Sequence, residues 1–156
     1  MIARKLYVAA ALLLAGLPSF AQDGSDKPKP LLEEWREALR YVITDQILDV
    51  IKRIKETDET GLNKELAVVL AETSSGAVKI GILEFFTDKR DSGGQAAAES
   101  MLEGYEDADP DLIVSVIRYL AGLKSEKLSG LTEKLVSFDN DKIRGQAIRS
   151  AGDTKD

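Results

Sequence analysis

An all-α fold of repeated antiparallel helix pairs is what this sequence predicts, and three observations predict it. From Leu31 onward apolar residues recur with helical period, in runs about 10–15 residues long. The polar breaks between runs carry Asp, Ser, Thr, Gly or Pro, the residues that close one helix and open the next. Later runs repeat earlier ones in phase. No segment alternates with period two over the length of a strand, so no sheet is expected. Aromatic residues are only 6% of the chain while Leu, Ala, Glu and Lys are plentiful, which also favours helix.

The chain opens with Arg4 and Lys5, then the apolar run Leu6 to Leu17, then Pro18 and the small residues Ser19 and Ala21. This is the layout of a signal peptide over residues 1–21, with cleavage after Ala21. The run falls well short of the roughly 20 apolar residues a membrane span needs, so no stable membrane insertion is expected after cleavage. No cysteine follows it for lipidation, and the expected location is periplasmic or secreted from a bacterium. Residues 22–30, "QDGSDKPKP", are polar with two prolines and read as a flexible linker. The folded body is 31–156. Breaks at 56–61, 73–76, 88–94, 106–111, 124–127 and 138–141 divide it into seven helices, and Pro110 suits a first helical turn.

The repeat is explicit when Val78, Leu112 and Ile143 are set as position zero. Four residues on stand Ile82, Val116 and Ala147; five on, Leu83, Ile117 and Ile148; eight on, Phe86, Leu120 and Ala151. All are apolar, and at 100° per residue these offsets share one helix face. Offset six is charged in every copy: Glu84, Arg118 and Arg149. A fourth copy can be set with Ile43, Ile47, Leu48 and Ile51, unless Thr44 and Asp45 open that helix instead. Units spaced 31–35 residues apart, each with a second amphipathic helix before it, are the mark of an α-solenoid. One pair cannot bury its own stripe; stacked pairs can.

The stretch "DPDLIVSVIRYLAGL" resembles the second helix of a HEAT repeat, through Asp109, Pro110, Leu112, Val116, Ile117, Leu120 and Ala121. The last copy carries the same pattern at Asp141, Ile143, Arg144, Ala147, Ile148, Ala151 and Gly152. Ile113 stands where the family has arginine, and Lys79 replaces it one unit earlier, so an Asp–Arg ladder between units is not expected. The resemblance implies a right-handed α-solenoid of about three to four HEAT-like repeats, of the kind found in exported bacterial HEAT-repeat proteins. It also implies that the second helices line a concave surface.

The chain has no histidine and no cysteine, which removes Ser-His-Asp and Cys-His catalysis and the usual zinc sites. The acidic clusters Glu106, Asp107, Asp109, Asp111 and Asp139, Asp141 lack the glycine and distal glutamate of a calcium loop and read as caps and turns. No cofactor or metal is therefore expected. Loss of Arg4 and Lys5 from the 21 basic residues leaves 19 against 27 acidic ones, so nucleic acid is not an expected partner. Trp35 shares a face with Leu31, Leu32 and Leu39 and is expected in the core.

The expected function is a non-catalytic scaffold that binds a protein or peptide on the concave face. Its candidate residues are Ile80, Glu84, Val114, Arg118, Tyr119 and Arg149, with Phe85 beside them: small, apolar or charged positions off the shared stripe. Offset three (Gly81, Ser115, Gln146) is expected to complete the rungs of that groove. Two alternatives stand beside it: an enzyme domain using carboxylates, and self-association through a last repeat that has no polar closing unit, which would otherwise continue beyond Asp156.

Overall fold

The computed structural model describes residues 31–40 and 43–153. The expected signal peptide (1–21) and linker (22–30) lie outside the described residues, as does the end of the chain from 154 to 156. Within them the fold is all-helical, with no strand. The helices are α1 (Leu31–Arg40), α2 (Thr44–Thr57), α3 (Asn63–Glu72), α4 (Gly76–Lys89), α5 (Gln95–Glu103), α6 (Pro110–Gly122), α7 (Glu126–Val136) and α8 (Asp141–Asp153).

This is one helix more than expected. The additional boundary precedes Thr44, where Ile43 has extended backbone (φ −85°, ψ 112°). It was left open because Tyr41, Val42 and Ile43 are apolar, so the only polar punctuation is Thr44 and Asp45 after it. Ile43 is accordingly an exposed cap residue, while Ile47 and Ile51 of the fourth copy are buried and Leu48 is half-buried against the core. Thr44 and Asp45 do open the helix.

Elsewhere the caps follow local chemistry. The Ser75 hydroxyl accepts from the Val78 N–H (3.4 Å), and the Ser125 hydroxyl from the Leu128 N–H (3.4 Å). The Asp109 carboxylate accepts from the N–H groups of Asp111 (2.8 Å) and Leu112 (3.2 Å), just ahead of Pro110. Each such cap contributes about 1 kcal/mol.

The contacts between helices run only between neighbours. α1 packs on α2, α3 on α4, α5 on α6 and α7 on α8. Successive odd-numbered helices touch (α1 to α3 to α5 to α7), and successive even-numbered ones do likewise (α2 to α4 to α6 to α8). α6 also meets α7, and no other pair of helices is in contact among the described residues. One continuous apolar cluster runs through both rows, from Trp35 and Leu39 in α1 to Ile143 and Ala147 in α8. Val78, Ile82, Leu83 and Phe86 of α4 and Val116, Ile117 and Leu120 of α6 have no exposed surface. Each side chain so buried contributes about 1.5–3 kcal/mol.

The last copy buries the expected stripe incompletely, most clearly at Ile148. Ile148 is 55% exposed, although Ile117 and Leu83 at the same offset are fully buried. α8 touches only α6 and α7, so no described helix covers the side of α8 that bears Ile148.

Helices α2, α4 and α6 end alike. The N–H groups of Glu59, Asp91 and Ser125 donate to the carbonyls of Ile54, Phe86 and Leu120, at 3.2, 3.0 and 3.0 Å. Each bond wraps around a residue in left-handed backbone: Asp58 (φ 58°), Arg90 (φ 51°) and Lys124 (φ 55°). This is the Schellman closure, normally made with glycine, and a residue with a Cβ costs roughly 1 kcal/mol there. The Glu59 and Asp91 carboxylates then accept from the N–H groups of Gly61 (2.6 Å) and Gly93 (2.7 Å), so the turns 58–62 and 90–94 are copies. The contraction of the repeat from 34 to 31 residues has a simple origin. Connections 90–94 and 104–109 become 123–125 and 137–140 and α6 is a residue shorter than α4, while α7 is longer than α5.

Polar contacts link each pair to the next. Arg36 pairs with Glu65 (2.7 Å), Lys55 with Glu84 (3.0 Å), Lys142 with Asp111 (2.7 Å), Lys89 with Asp58, and Lys127 with Glu103. Exposed pairs of this kind are worth under about 1 kcal/mol each, so they set register more than stability. The strongest link is around Asp91. Its carboxylate accepts from the Asn63 amide (2.6 Å), and its backbone carbonyl accepts from the Tyr119 hydroxyl (2.7 Å), which in turn accepts from the Gly94 N–H (3.2 Å). Gly94 is required here by close approach: a Cβ would lie 2.8 Å from both Leu70 and Phe86.

Candidate functional site

The outer strip of the even helices is where the expected binding residues fall, with one exception. On α6 the residues that are not fully buried are Pro110, Asp111, Val114, Arg118, Ala121 and Gly122, which beyond the first turn form a narrow strip along one side. Ile80 is half-buried and packs against the core. Val114 is half-buried, and Glu84 and Arg118 are exposed. Glu84 is occupied by Lys55 of α2. Arg149 is exposed, its guanidinium donating to the Gln146 side-chain oxygen through Nη2 (3.0 Å) and Nε (3.3 Å).

Tyr119 is the exception. It is 1% exposed and belongs to the core, as does Phe85 at the same offset. The reason is angular: seven residues fall 20° short of two full turns, so offset seven lies almost directly along the helix from the buried position zero. Burial pushes the Tyr119 phenol up to about 12. Its hydroxyl serves the turn at Asp91 rather than a surface. Offset three is likewise not an open rung. Ser115 and Gln146 are buried, and a Cβ at Gly81 would meet Ile51 and Leu48 of α2 at 3.6–3.7 Å, so this offset forms the seam between successive even helices.

A recess of about 360 Å³ opens where α4 and α6 end against the flank of α8. Arg90, Arg118 and Lys124 line it, with Gln146 and Ser150 at its wall. Gln146 and Ser150 are buried and joined to each other, Nε2 donating to the hydroxyl at 3.2 Å. Three cations are thus gathered around one depression, and no carboxylate of the described residues lines it. Of the expected binding residues the recess includes Arg118 alone; Ile80, Glu84, Val114 and Arg149 line none of it.

Arg90 and Lys124 were not singled out by sequence reasoning. They sit in the breaks "DKRDSGG" and "KSEK", which read simply as turns. The available signal was a basic residue at the first position after two successive even helices, where a glycine is the ordinary choice.

The acidic clusters are used structurally. Asp109 caps α6, Asp111 pairs with Lys142, and Asp141 pairs with Arg144. No group of His, Cys, Asp or Glu side chains suited to a metal ion occurs among the described residues. None of the described helices is long and apolar enough to cross a membrane.

No protein-family model, curated protein or solved structure matches the chain.

Proposed function

We propose that this protein is an exported, non-catalytic scaffold, a HEAT-like right-handed α-solenoid that binds a protein or peptide along its even-numbered helices. The observation that carries this reading is the neighbour-only packing: each helix pair touches the pairs before and after it and none beyond. Such stacking leaves one row of helices as an extended surface, the use to which repeat arrays are generally put. The recurring left-handed turn at Asp58, Arg90 and Lys124 supports equivalence of the units. The layout of residues 1–21 supports export, and the absence of histidine and cysteine supports binding over catalysis.

The test uses protein purified from cells expressing the full chain, immobilised and exposed to a cell-envelope extract. Arg118→Glu and Val114→Asp should lose a captured protein that Lys134→Glu, a charge reversal at an exposed site on α7, retains. Capture unchanged in both face variants removes the proposal.

One observation favours a second reading, self-association through α8. Ile148 is exposed at an offset buried in the other copies. Light scattering on the wild type and on Ile148→Lys separates the two: a dimer that Ile148→Lys dissolves supports end-to-end pairing, and a monomer throughout opposes it.

A further inference from the structure

We propose that the recess between the ends of α4 and α6 and the flank of α8 receives a run of carboxylates, an acidic segment of a partner protein. The inference rests on the reading of the even helices as a partner surface and names the chemistry that surface selects.

Three features carry it. The first is charge. Arg90, Arg118 and Lys124 line the recess and no acidic side chain of the described residues lines it, in a chain whose acids outnumber its bases 27 to 21. Several other cations are answered: Arg36, Lys55, Lys89, Lys127 and Lys142 each pair with a carboxylate of a neighbouring unit, whereas Lys52 and Lys134, unpaired among the described residues, stand singly rather than in the lining of this recess. None of the three recess cations has an ion pair or a side-chain hydrogen bond among the described residues. A partner's carboxylates would supply what the chain does not.

The second feature is backbone. Arg90 and Lys124 occupy left-handed positions, where glycine is the unstrained residue. Cations are favoured at helix C-termini in general, yet the same position after α2 is the acid Asp58. The turn therefore does not demand a positive charge, and its appearance in the two units that border the recess is left for a ligand to explain.

The third feature selects among anions. Phosphate sites draw on free backbone N–H groups at helix N-termini. Here α4 and α6 present their C-terminal ends, and the N–H groups after them are already spent closing the helices onto the carbonyls of Phe86 and Leu120. A compact, densely charged phosphate gains no backbone donors at such a place. Separate carboxylates along a peptide can each meet one of the cations, which come from two turns and one helix face.

The experiment is a titration of fluorescein-labelled hexaglutamate with protein purified from cells expressing the full chain, read by fluorescence anisotropy. Binding should weaken as salt rises from about 20 to about 150 mM. The double variant Arg90→Gly/Lys124→Gly should weaken it about tenfold or more, while Lys52→Ala/Lys134→Ala, an equal loss of charge elsewhere, should change it less than about twofold. Glycine suits the left-handed turns, so the expected loss does not come from unfolding. No binding at low salt, equal losses in the two double variants, or tighter binding of inorganic pyrophosphate than of the peptide would each overturn the proposal. Peptide binding lost in the recess variant with envelope capture unaffected upholds the recess and removes the partner reading. Capture lost in Val114→Asp without any peptide binding does the reverse.

Discussion

The third and fourth helix pairs are built on the same register yet bury it differently. In α6, Ile117 and Leu120 are wholly enclosed; in α8, Ile148 at the matching position is more than half exposed, and Ala151 is half-buried. α6 has four helical neighbours, α4, α5, α7 and α8, whereas α8 has two. An apolar residue at this offset is therefore buried by the next unit, not by its own hairpin. The stripe that a sequence displays marks capacity for burial, and the neighbours decide how much of it is used.

The largest effects should follow that difference. Ile117→Ala and Leu120→Ala should each cost about 2–5 kcal/mol by leaving a cavity, whereas Ile148→Ala should cost under about 1 kcal/mol. Urea denaturation of the three variants measures this, and similar costs at Ile117 and Ile148 would contradict the assignment of neighbours. Tyr119→Phe comes next, at about 1–3 kcal/mol, since it leaves the Asp91 carbonyl without its phenol donor and the Gly94 N–H without its acceptor.

The same residue gives a pH dependence. Its pKa is about 12 in the fold against 10.0 unperturbed, so the folded state holds the proton more tightly than the unfolded chain. Its contribution is complete below pH 10 and is lost as the pH rises from there toward 12, roughly 2–3 kcal/mol in all. Thermal melts across that window should show a steeper decline for the wild type than for Tyr119→Phe. The smallest effect is expected at the turns. Arg90→Gly should change stability by no more than about 1 kcal/mol, in the stabilising direction, because relief of the left-handed backbone is partly offset by a freer unfolded chain.

Much of the architecture was legible because it rests on periodicity. The stripe of α4 and α6, the caps at Ser75 and Asp109 and all six breaks with their Gly, Ser or Asp residues lie in local sequence. The boundary before Thr44 was only half legible: Thr44 and Asp45 offered it as an alternative, but the apolar residues before them left the choice open. Tyr119 was misplaced at the edge of the surface for a different reason. Its hydroxyl could be buried only because the turn of another pair offers a carbonyl and an N–H at the right distance, a fact that no single helix contains. Arg118 was found from its register, but its companions Arg90 and Lys124 come from turns, and only the stacking of α4, α6 and α8 brings them to one recess.

The restriction of contacts to adjacent pairs also fixes how the molecule comes apart. Every native contact spans a short stretch of chain, so ordering needs little loop closure and should be fast for a body of this size. Disassembly can begin at either end without breaching the middle, and amide hydrogen exchange should be slowest in α4 and α6 and progressively quicker toward α1 and α8.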